Sequence, residues 1–444
     1  MTGPGDAGAP PRKAGAARQR RSLAHVGGAI DTAGDPRAAE LLAHALDVSP
    51  AKGGEAAPSA DVPAGRPRPT GPEDDGPDRV HVHGFHAYPA RMHPETAARL
   101  IRAFSPERAT VLDPFCGSGT VLVEAMLAGR RAIGTDLNPL AIKLATLKTQ
   151  VHDAARTERL VALAREAAAF ADARRLARAG ATRRYPPEDV ALFDPHVLLE
   201  LDGLRAGITH ATEEAGKGFR EELQLVLSAI LVKVSRKQGD TSERVGPRRL
   251  AAGYPSRLFV RKAEELAARL TAFARALPVP FPEARVSLDD ATRLTTVRDA
   301  TIDAIVTSPP YVATYDYLAH HAARLRWLDL DARGFERGEL GARRRYAVLG
   351  PREAMDAWSR ELGGLLRALA RVLRPGAPLV LLMADSAVGR DALRADDIVA
   401  SVAPGARFHP VARASQHRPH FHGPTAAAFS RSPRAEHALL LERA

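Results

Sequence analysis

Thr110-Val111-Leu112-Asp113-Pro114-Phe115-Cys116-Gly117-Ser118-Gly119-Thr120 decides the fold. Its apolar start reads as a short buried strand, its glycine-rich centre as a tight turn, and residues 120–128 as a helix that stops at Gly129. Residues 132–136 repeat the strand and residues 139–148 the helix. Strand, helix, strand, helix at this spacing predicts an α/β fold, a doubly wound and mostly parallel sheet of Rossmann-like type. Upstream, Pro94–Phe104 sets Ala97, Leu100, Ile101 and Phe104 on one helical face.

The pattern changes after residue 150. Residues 158–178, 194–211, 219–233 and 257–276 all carry helical periodicity, and strand signals return at Ala284–Leu288, 303–306, 378–383 and 437–442. A large helical insertion between the second and third strands of one α/β domain follows. Residues 1–78 are rich in Gly, Ala, Pro and charge, which predicts a disordered basic tail with one short amphipathic helix near 38–46. The expected division is 1–78 tail, 79–150 cofactor-binding part, 151–280 helical insertion and 281–444 catalytic part.

The chain has 444 residues and a formal net charge of +11, enough length for a large core and a balance that suits a polyanionic partner. Its single cysteine, Cys116, excludes an intramolecular disulfide and a cysteine-based zinc site. No apolar stretch approaches the roughly 20 residues of a membrane span, and the N-terminus lacks a signal-like apolar core. A cytoplasmic protein with no membrane partner is expected.

The loop at 113–120 is neither a Walker P-loop nor the dinucleotide Gly-x-Gly-x-x-Gly. Its glycines allow close backbone approach to a ligand. Asp136 ends the next strand, where a carboxylate accepts from ribose hydroxyls, and Asp290 follows the third strand, placed to accept from an adenine amine. Two strand-end carboxylates and no phosphate cradle describe a nucleoside such as S-adenosylmethionine better than NAD. Each glycine also suits an ordinary turn, and Asp136 a helix cap.

The second informative stretch is Thr307-Ser308-Pro309-Pro310-Tyr311, after the apolar run 302–306. The prolines fix φ and carry no N–H, so the turn presents its oxygens in a set direction. Ser308 Oγ and the Pro309 carbonyl can accept from an exocyclic NH2, and Tyr311 offers a stacking face. Pro-Pro-Tyr alone is a weak signal, since plain turns use it too.

In combination these segments resemble the amino-methyltransferases that modify exocyclic amines in DNA, a branch of the class I S-adenosylmethionine-dependent enzymes. The resemblance covers residues 80–150 and 280–444. It rests on Phe85-His86-Ala87-Tyr88-Pro89-Ala90-Arg91, the loop 113–120, Asp136-Leu137-Asn138-Pro139, Asp290-Ala291 and Ser308-Pro309-Pro310-Tyr311, in that order. It implies that Tyr88 lies at the methionine end of the cofactor, that Phe115 packs near the adenine, and that Gly117 and Gly119 line the methionine. Asp113, Ser118 and Thr120 complete the loop, while Asp136 and Asn138 hold the ribose and Asp290 the adenine. Ser308, Pro309, Pro310 and Tyr311 are then the catalytic turn.

Two acceptors on an NH2 localise a lone pair otherwise delocalised into the ring. Aligned with a sulfonium methyl, that nitrogen becomes the nucleophile. The base must leave the duplex to reach the turn. Methylation at cytosine carbon needs a cysteine nucleophile, and Tyr311 stands where one would be needed. The resemblance associates Ser in the first position of the turn with cytosine N4 and Asp with adenine N6, so cytosine N4 in DNA is favoured. Adenine N6, or a guanine N2 amine in tRNA or rRNA, is the alternative.

Lys233, Arg236, Lys237, Arg244, Arg248 and Arg249 surround two glycines and form a candidate phosphate-contacting loop, or equally a plain surface loop. The insertion is the expected target reader, and restriction or defence components are candidate partners. His409, His417, His420 and His422 match no zinc spacing, and a solvated or nucleic-acid-facing loop is expected there.

Overall fold

Alternation along the strands sorts the core into two layers. The computed structural model describes residues 27–48, 79–237, 245–420 and 423–444. In chain order the strands are β1 Ile30–Gly34, β2 Thr110–Asp113, β3 Arg131–Asp136, β4 Ala284–Leu288, β5 Ala304–Thr307, β6 Pro378–Ala384, β7 Ser386–Val388, β8 Asp391–Leu393, β9 Phe408–His417 and β10 Ala435–Arg443. Val111, Val306, Val380, Ala438 and Leu440 face one apolar cluster; Leu112, Ile305, Leu379, Leu439 and Leu441 face the other. That period of two marks a sheet covered on both sides.

The helices are α1 Pro36–Leu46, α2 Pro94–Phe104, α3 Thr120–Leu127, α4 Pro139–Thr149, α5 Ala154–Leu176, α6 Pro187–Leu192, α7 Pro195–Ala211, α8 Lys217–Val234, α9 Tyr254–Ala276, α10 Tyr317–Trp327, α11 Arg333–Gly338, α12 Arg343–Tyr346, α13 Pro351–Val372 and α14 Ala395–Val402. Buried side chains of α1–α5 and α7–α9 belong to the first cluster, and those of α13 and α14 to the second. Proline near the start suits several of them, because its missing N–H lies among the unpaired amides of a first turn. α4 shows the full device: Asn138 Oδ1 accepts from the Leu140 amide at 3.0 Å, with Pro139 next.

Eight strands form one sheet in the order β1-β9-β10-β6-β5-β2-β3-β4, and β7 and β8 form a separate hairpin. β4, β3, β2, β5 and β6 run parallel. β10, β9 and β1 extend the sheet antiparallel. The chain moves outward from β2 in both directions, so the carboxyl ends of β2 and β5 flank the crevice where the strand order reverses. This is the doubly wound α/β fold expected from the loop and its flanks.

Two expectations need correction. Part of the supposed tail is ordered: β1 pairs with β9 from Ile30↔Gln416 to Gly34↔Ala412, and α1 buries Ala39, Leu42, Ala45 and Leu46. Its composition is poor in apolar residues, but these four share one helical face, and β9 supplies a waiting edge. The remainder of 1–78 lies mostly outside the described residues. The histidine-bearing segment from Phe408 is also no loop, because β9 is a ten-residue strand inside the sheet. His409 and His417 sit near its ends, and His422 lies outside the described residues.

Helices α5 to α9 fill the chain between β3 and β4. They are clamped to the sheet domain by polar contacts: Lys143 Nζ to Glu221 at 2.9 Å, His86 Nε2 to Ser228 Oγ at 3.0 Å, and Arg326 to Asp189 at 2.6 Å. Arg269, buried on α9, donates to the carbonyls of Arg79 and His81 at 2.8 Å each. Among the described residues no helix is long and apolar enough to cross a membrane.

Candidate active site

Two cavities meet at Ser308. The first is a cleft of about 850 Å³, open mouth included, along the ends of β2 and β3. It is walled by Tyr88, Asp113, Phe115, Gly117, Ser118, Thr120, Asp136, Asp290, Ser308 and Pro310, and by Phe335 and Gly338 of α11. Asp113, at the end of β2, accepts from the Phe115 amide at 3.1 Å and from Thr307 Oγ1, at the end of β5, at 2.6 Å. One carboxyl thus ties the loop after β2 to the turn after β5. Burial pushes its pKa up to about 7, against the pull of those two hydrogen bonds.

Gly117 has φ +49°, and a Cβ there would stand 3.2 Å from the Tyr88 ring. Only glycine lets the loop turn there without crowding that ring. The Gly117 amide donates to Asp136 Oδ2 at 2.9 Å and the Asn138 amide to Asp136 Oδ1 at 2.8 Å. Burial raises Asp136 to about 6 even so. A carboxylate has about four lone-pair sites, so both oxygens retain capacity for ligand hydroxyls.

Three features of this wall fit S-adenosylmethionine. Ser118 Oγ and Thr120 Oγ1 are buried without a hydrogen-bond partner, a state that polar atoms seldom keep unless something fills the space beside them. Asp290 Oδ1 accepts from the Thr292 amide at 2.9 Å and hydroxyl at 2.7 Å, and Oδ2 has no partner among the described residues. Phe115 adds a half-buried ring.

Two expected cofactor contacts serve instead as supports. Gly119, φ +88°, caps α3, and a Cβ there would meet Ala145 Cα at 3.1 Å, so its bareness lets α3 pack on α4. Asn138 is buried beneath the cleft, capping α4 and donating from Nδ2 to the Tyr88 hydroxyl at 3.2 Å. The Tyr88 ring stacks on His321 at 4.8 Å. Of the far wall, Glu339 and Leu340 carried no motif that would have exposed them.

The second cavity, about 1140 Å³ with its mouth, shares Ala90, Arg91, Met92 and Ser308 with the cleft. Its other walls are Tyr311, Tyr315, Leu382, Arg418, Arg434 and Glu436, with Leu46 and Val48 from the N-terminal segment. Pro309 is buried and forms part of neither wall. The Tyr311 hydroxyl donates to Glu436 Oε1 at 3.1 Å, and Arg418 holds Glu436 Oε2 at 2.9 Å. Burial holds the Tyr311 phenol far above its ordinary range, Glu436 adds to this, and a hydrogen bond with Ser308 opposes it. With Tyr311 donating to Glu436, its oxygen is free to accept from Ser308, whose own lone pairs then stay available to an incoming donor. Glu436, unforeseen in the sequence, therefore orients the turn.

The basic residues expected at a phosphate divide. Arg236 is spent on Asp194, at 2.9 and 2.6 Å, and is half-buried, which withdraws it as a free phosphate ligand. Lys233, Arg248 and Arg249 are exposed, Lys237 is half-buried, and Arg244 lies outside the described residues. Among the described residues, neither cavity wall includes a residue of the insertion. Asp385, Asp396 and His437 cluster elsewhere, but Arg394 and Arg413 already balance the two carboxylates.

Residues 67–147 match the family model for DNA methylases of the N6/N4 type. The type II methyltransferase M.MvaI of Kocuria varians is 37% identical over 83 residues, 18% of each protein. M.MjaII of Methanocaldococcus jannaschii is 32% identical over 81 residues, 18% of this chain and 15% of that one. The chain thus matches less than a fifth of the length of these curated relatives. Among solved structures, the rRNA methyltransferase aviRa from Streptomyces viridochromogenes aligns over 80% of this chain and 88% of its own, at 16% identity and a TM-score of 0.29. Geranyl diphosphate methyltransferase with S-adenosylmethionine aligns over 80% and 86%, at 8% identity and a TM-score of 0.32. Over residues 67–147, which carry the cofactor loop, the chain is similar to DNA methylases of the N6/N4 type, and the residues of the cleft fit S-adenosylmethionine as the cofactor.

Proposed function

We propose that this protein methylates the N4 amine of a cytosine in DNA. The observation that carries the reading is the placement of Ser308: one side chain in the wall of both the cofactor cleft and an aromatic, basic second cavity. A flipped base in the second cavity presents its amine to Ser308 while Tyr311 and Tyr315 pack on the ring. Bound in the cleft, the cofactor supplies an electrophilic sulfonium methyl.

The chain's own part is alignment and polarisation. Ser308 Oγ accepts one amine hydrogen, drawing nitrogen toward tetrahedral geometry and freeing its lone pair. As the N–C bond forms and the C–S bond breaks, positive charge on nitrogen is met by an oxygen already polarised through Tyr311 toward the Glu436 carboxylate. The departing proton passes to Ser308 Oγ as the Ser308 proton moves to Tyr311 and the Tyr311 proton to the Glu436 carboxylate, which ends the step protonated. Cys116 is buried in the cofactor loop and burial raises its thiol pKa, so it offers no nucleophile to a ring carbon.

Target reading beyond the flipped base is assigned to the insertion, through the exposed cations Lys233, Arg248 and Arg249. Restriction-modification is the setting that the type II relatives suggest. The deciding experiment offers unmethylated duplex DNA and tRNA with labelled methyl donor, then identifies the labelled nucleoside. N4-methylcytosine from DNA is expected. N6-methyladenine would remove the choice of base, and label in tRNA alone would remove DNA.

A further inference from the structure

Arg434, in the wall of the second cavity, has uncommitted donors among the described residues. Arg434 is half-buried, and its Nε donates to the Asp385 carbonyl at 2.9 Å. Its two terminal nitrogens, four N–H bonds, have no partner among the described residues. Of the other arginines of the cavity, Arg91 donates to the His83 carbonyl and Arg418 is spent on Glu436 at 3.0 and 2.9 Å. Asp385, which anchors Arg434, is itself buried and held by Arg394 Nη1 at 2.7 Å and by the Ala435 amide at 2.9 Å. The guanidinium is therefore pinned at its base and open at its fork. Its charge reaches the hydroxyls of both Tyr311 and Tyr315, the two rings assigned to the base.

We propose that Arg434 reads the target base, donating its fork to two adjacent ring acceptors, and so selects cytosine. The inference rests on the methyl-transfer reading of Ser308 and names the substrate of that same site. Cytosine places N3 and then O2 beside its N4 amine, two neighbouring acceptors on one edge. A planar guanidinium supplies two parallel N–H donors of matching direction. Adenine places a single acceptor, N1, beside its N6 amine and then a C–H, so one donor would stay buried and unpaired. Guanine places an N1–H donor beside its N2 amine, which a cation repels. Sites built to donate to a ligand reject analogues that lack the acceptor far more strongly than apolar pockets reject an extra group.

The test compares wild-type protein with Arg434→Met and Arg434→Lys on unmethylated genomic DNA. It is then repeated on a duplex carrying the methylated site with the target cytosine replaced by 3-deazacytosine, whose N3 is a C–H. Wild type is expected to form N4-methylcytosine and to lose at least tenfold in kcat/KM on the deaza substrate. Arg434→Met should be at least tenfold slower than wild type on cytosine yet nearly indifferent to the deaza change, and Arg434→Lys should lie between them. S-adenosylmethionine affinity should match wild type in both variants. Equal losses of Arg434→Met on both substrates would make Arg434 a phosphate ligand or a packing residue and overturn the inference, while the methyl-transfer reading stands. Wild-type rates for Arg434→Met would overturn it equally. Methylation of adenine by the wild type would overturn the choice of cytosine and Arg434 together, and no label in DNA would remove the underlying reading as well.

Discussion

The turn at 308–311 is set in part by a neighbour that the motifs do not contain: Tyr311 donates to Glu436, a strand residue far along the chain. Ser308→Ala and Tyr311→Ala should each cut methyl transfer by more than roughly tenfold, the low end for one positioned transition-state interaction, with cofactor affinity unchanged by calorimetry. Wild-type turnover in Ser308→Ala would end the amine-polarising role. Asp136→Ala should do the reverse, weakening cofactor binding first. Asp136 also carries a pH signature. Its folded pKa of about 6 exceeds the ordinary 3.8, so between those values the fold holds a proton that the unfolded chain has lost. This group therefore favours the unliganded fold at low pH, and that contribution fades as pH rises toward 6. Cofactor affinity should move oppositely, because the ionised carboxylate is the better acceptor for hydroxyls. Titrations at pH 5, 6 and 7 should show tightening, and a flat profile would remove Asp136 as a ribose ligand.

Elements were legible where local pattern and tertiary role coincide. Pro94–Phe104 and Ala284–Leu288 carry in their own residues the periodicity that the fold uses, and both appear with those bounds. β9 was illegible because its histidines and arginines find partners on other elements: Arg413 with Asp396 of α14, and His417 with Asp31 of β1 at 3.4 Å. β1 was hidden for a related reason, since Ile30–Gly34 has little apolar content and exists as a strand only against β9. The cofactor loop's motif pointed to residues that line the cleft, yet Gly119 and Asn138 lie outside its wall as supports, a distinction that needs α3 and α4 in place. Helix α1 gives a test of the ordered N-terminal segment. Leu42 is fully buried, so Leu42→Ala should cost about 2–5 kcal/mol in denaturant unfolding. An unchanged midpoint would mean that α1 does not pack in solution.

At the scale of the molecule, the proposed function gives the flipped base and the surrounding duplex to different parts of the chain. The cavity proposed for the base is built by the sheet domain and the N-terminal segment, with no residue from the insertion among the described residues. Replacing Lys233, Arg248 and Arg249 together by Ala should lower DNA affinity and flatten its salt dependence by about 0.9 in log-log slope for each phosphate no longer neutralised. The methylated nucleoside should stay the same. An unaltered salt slope would remove the insertion loop from the DNA path. At the edge of the sheet, Ile30–Gly34 pairs with residues 412–416. β1 is made long before its partner β9, and closing so long a loop is entropically slow. During synthesis β1 stays unpaired until β9 has been made. In pulsed hydrogen exchange, the β1–β9 amides should be the last to gain protection.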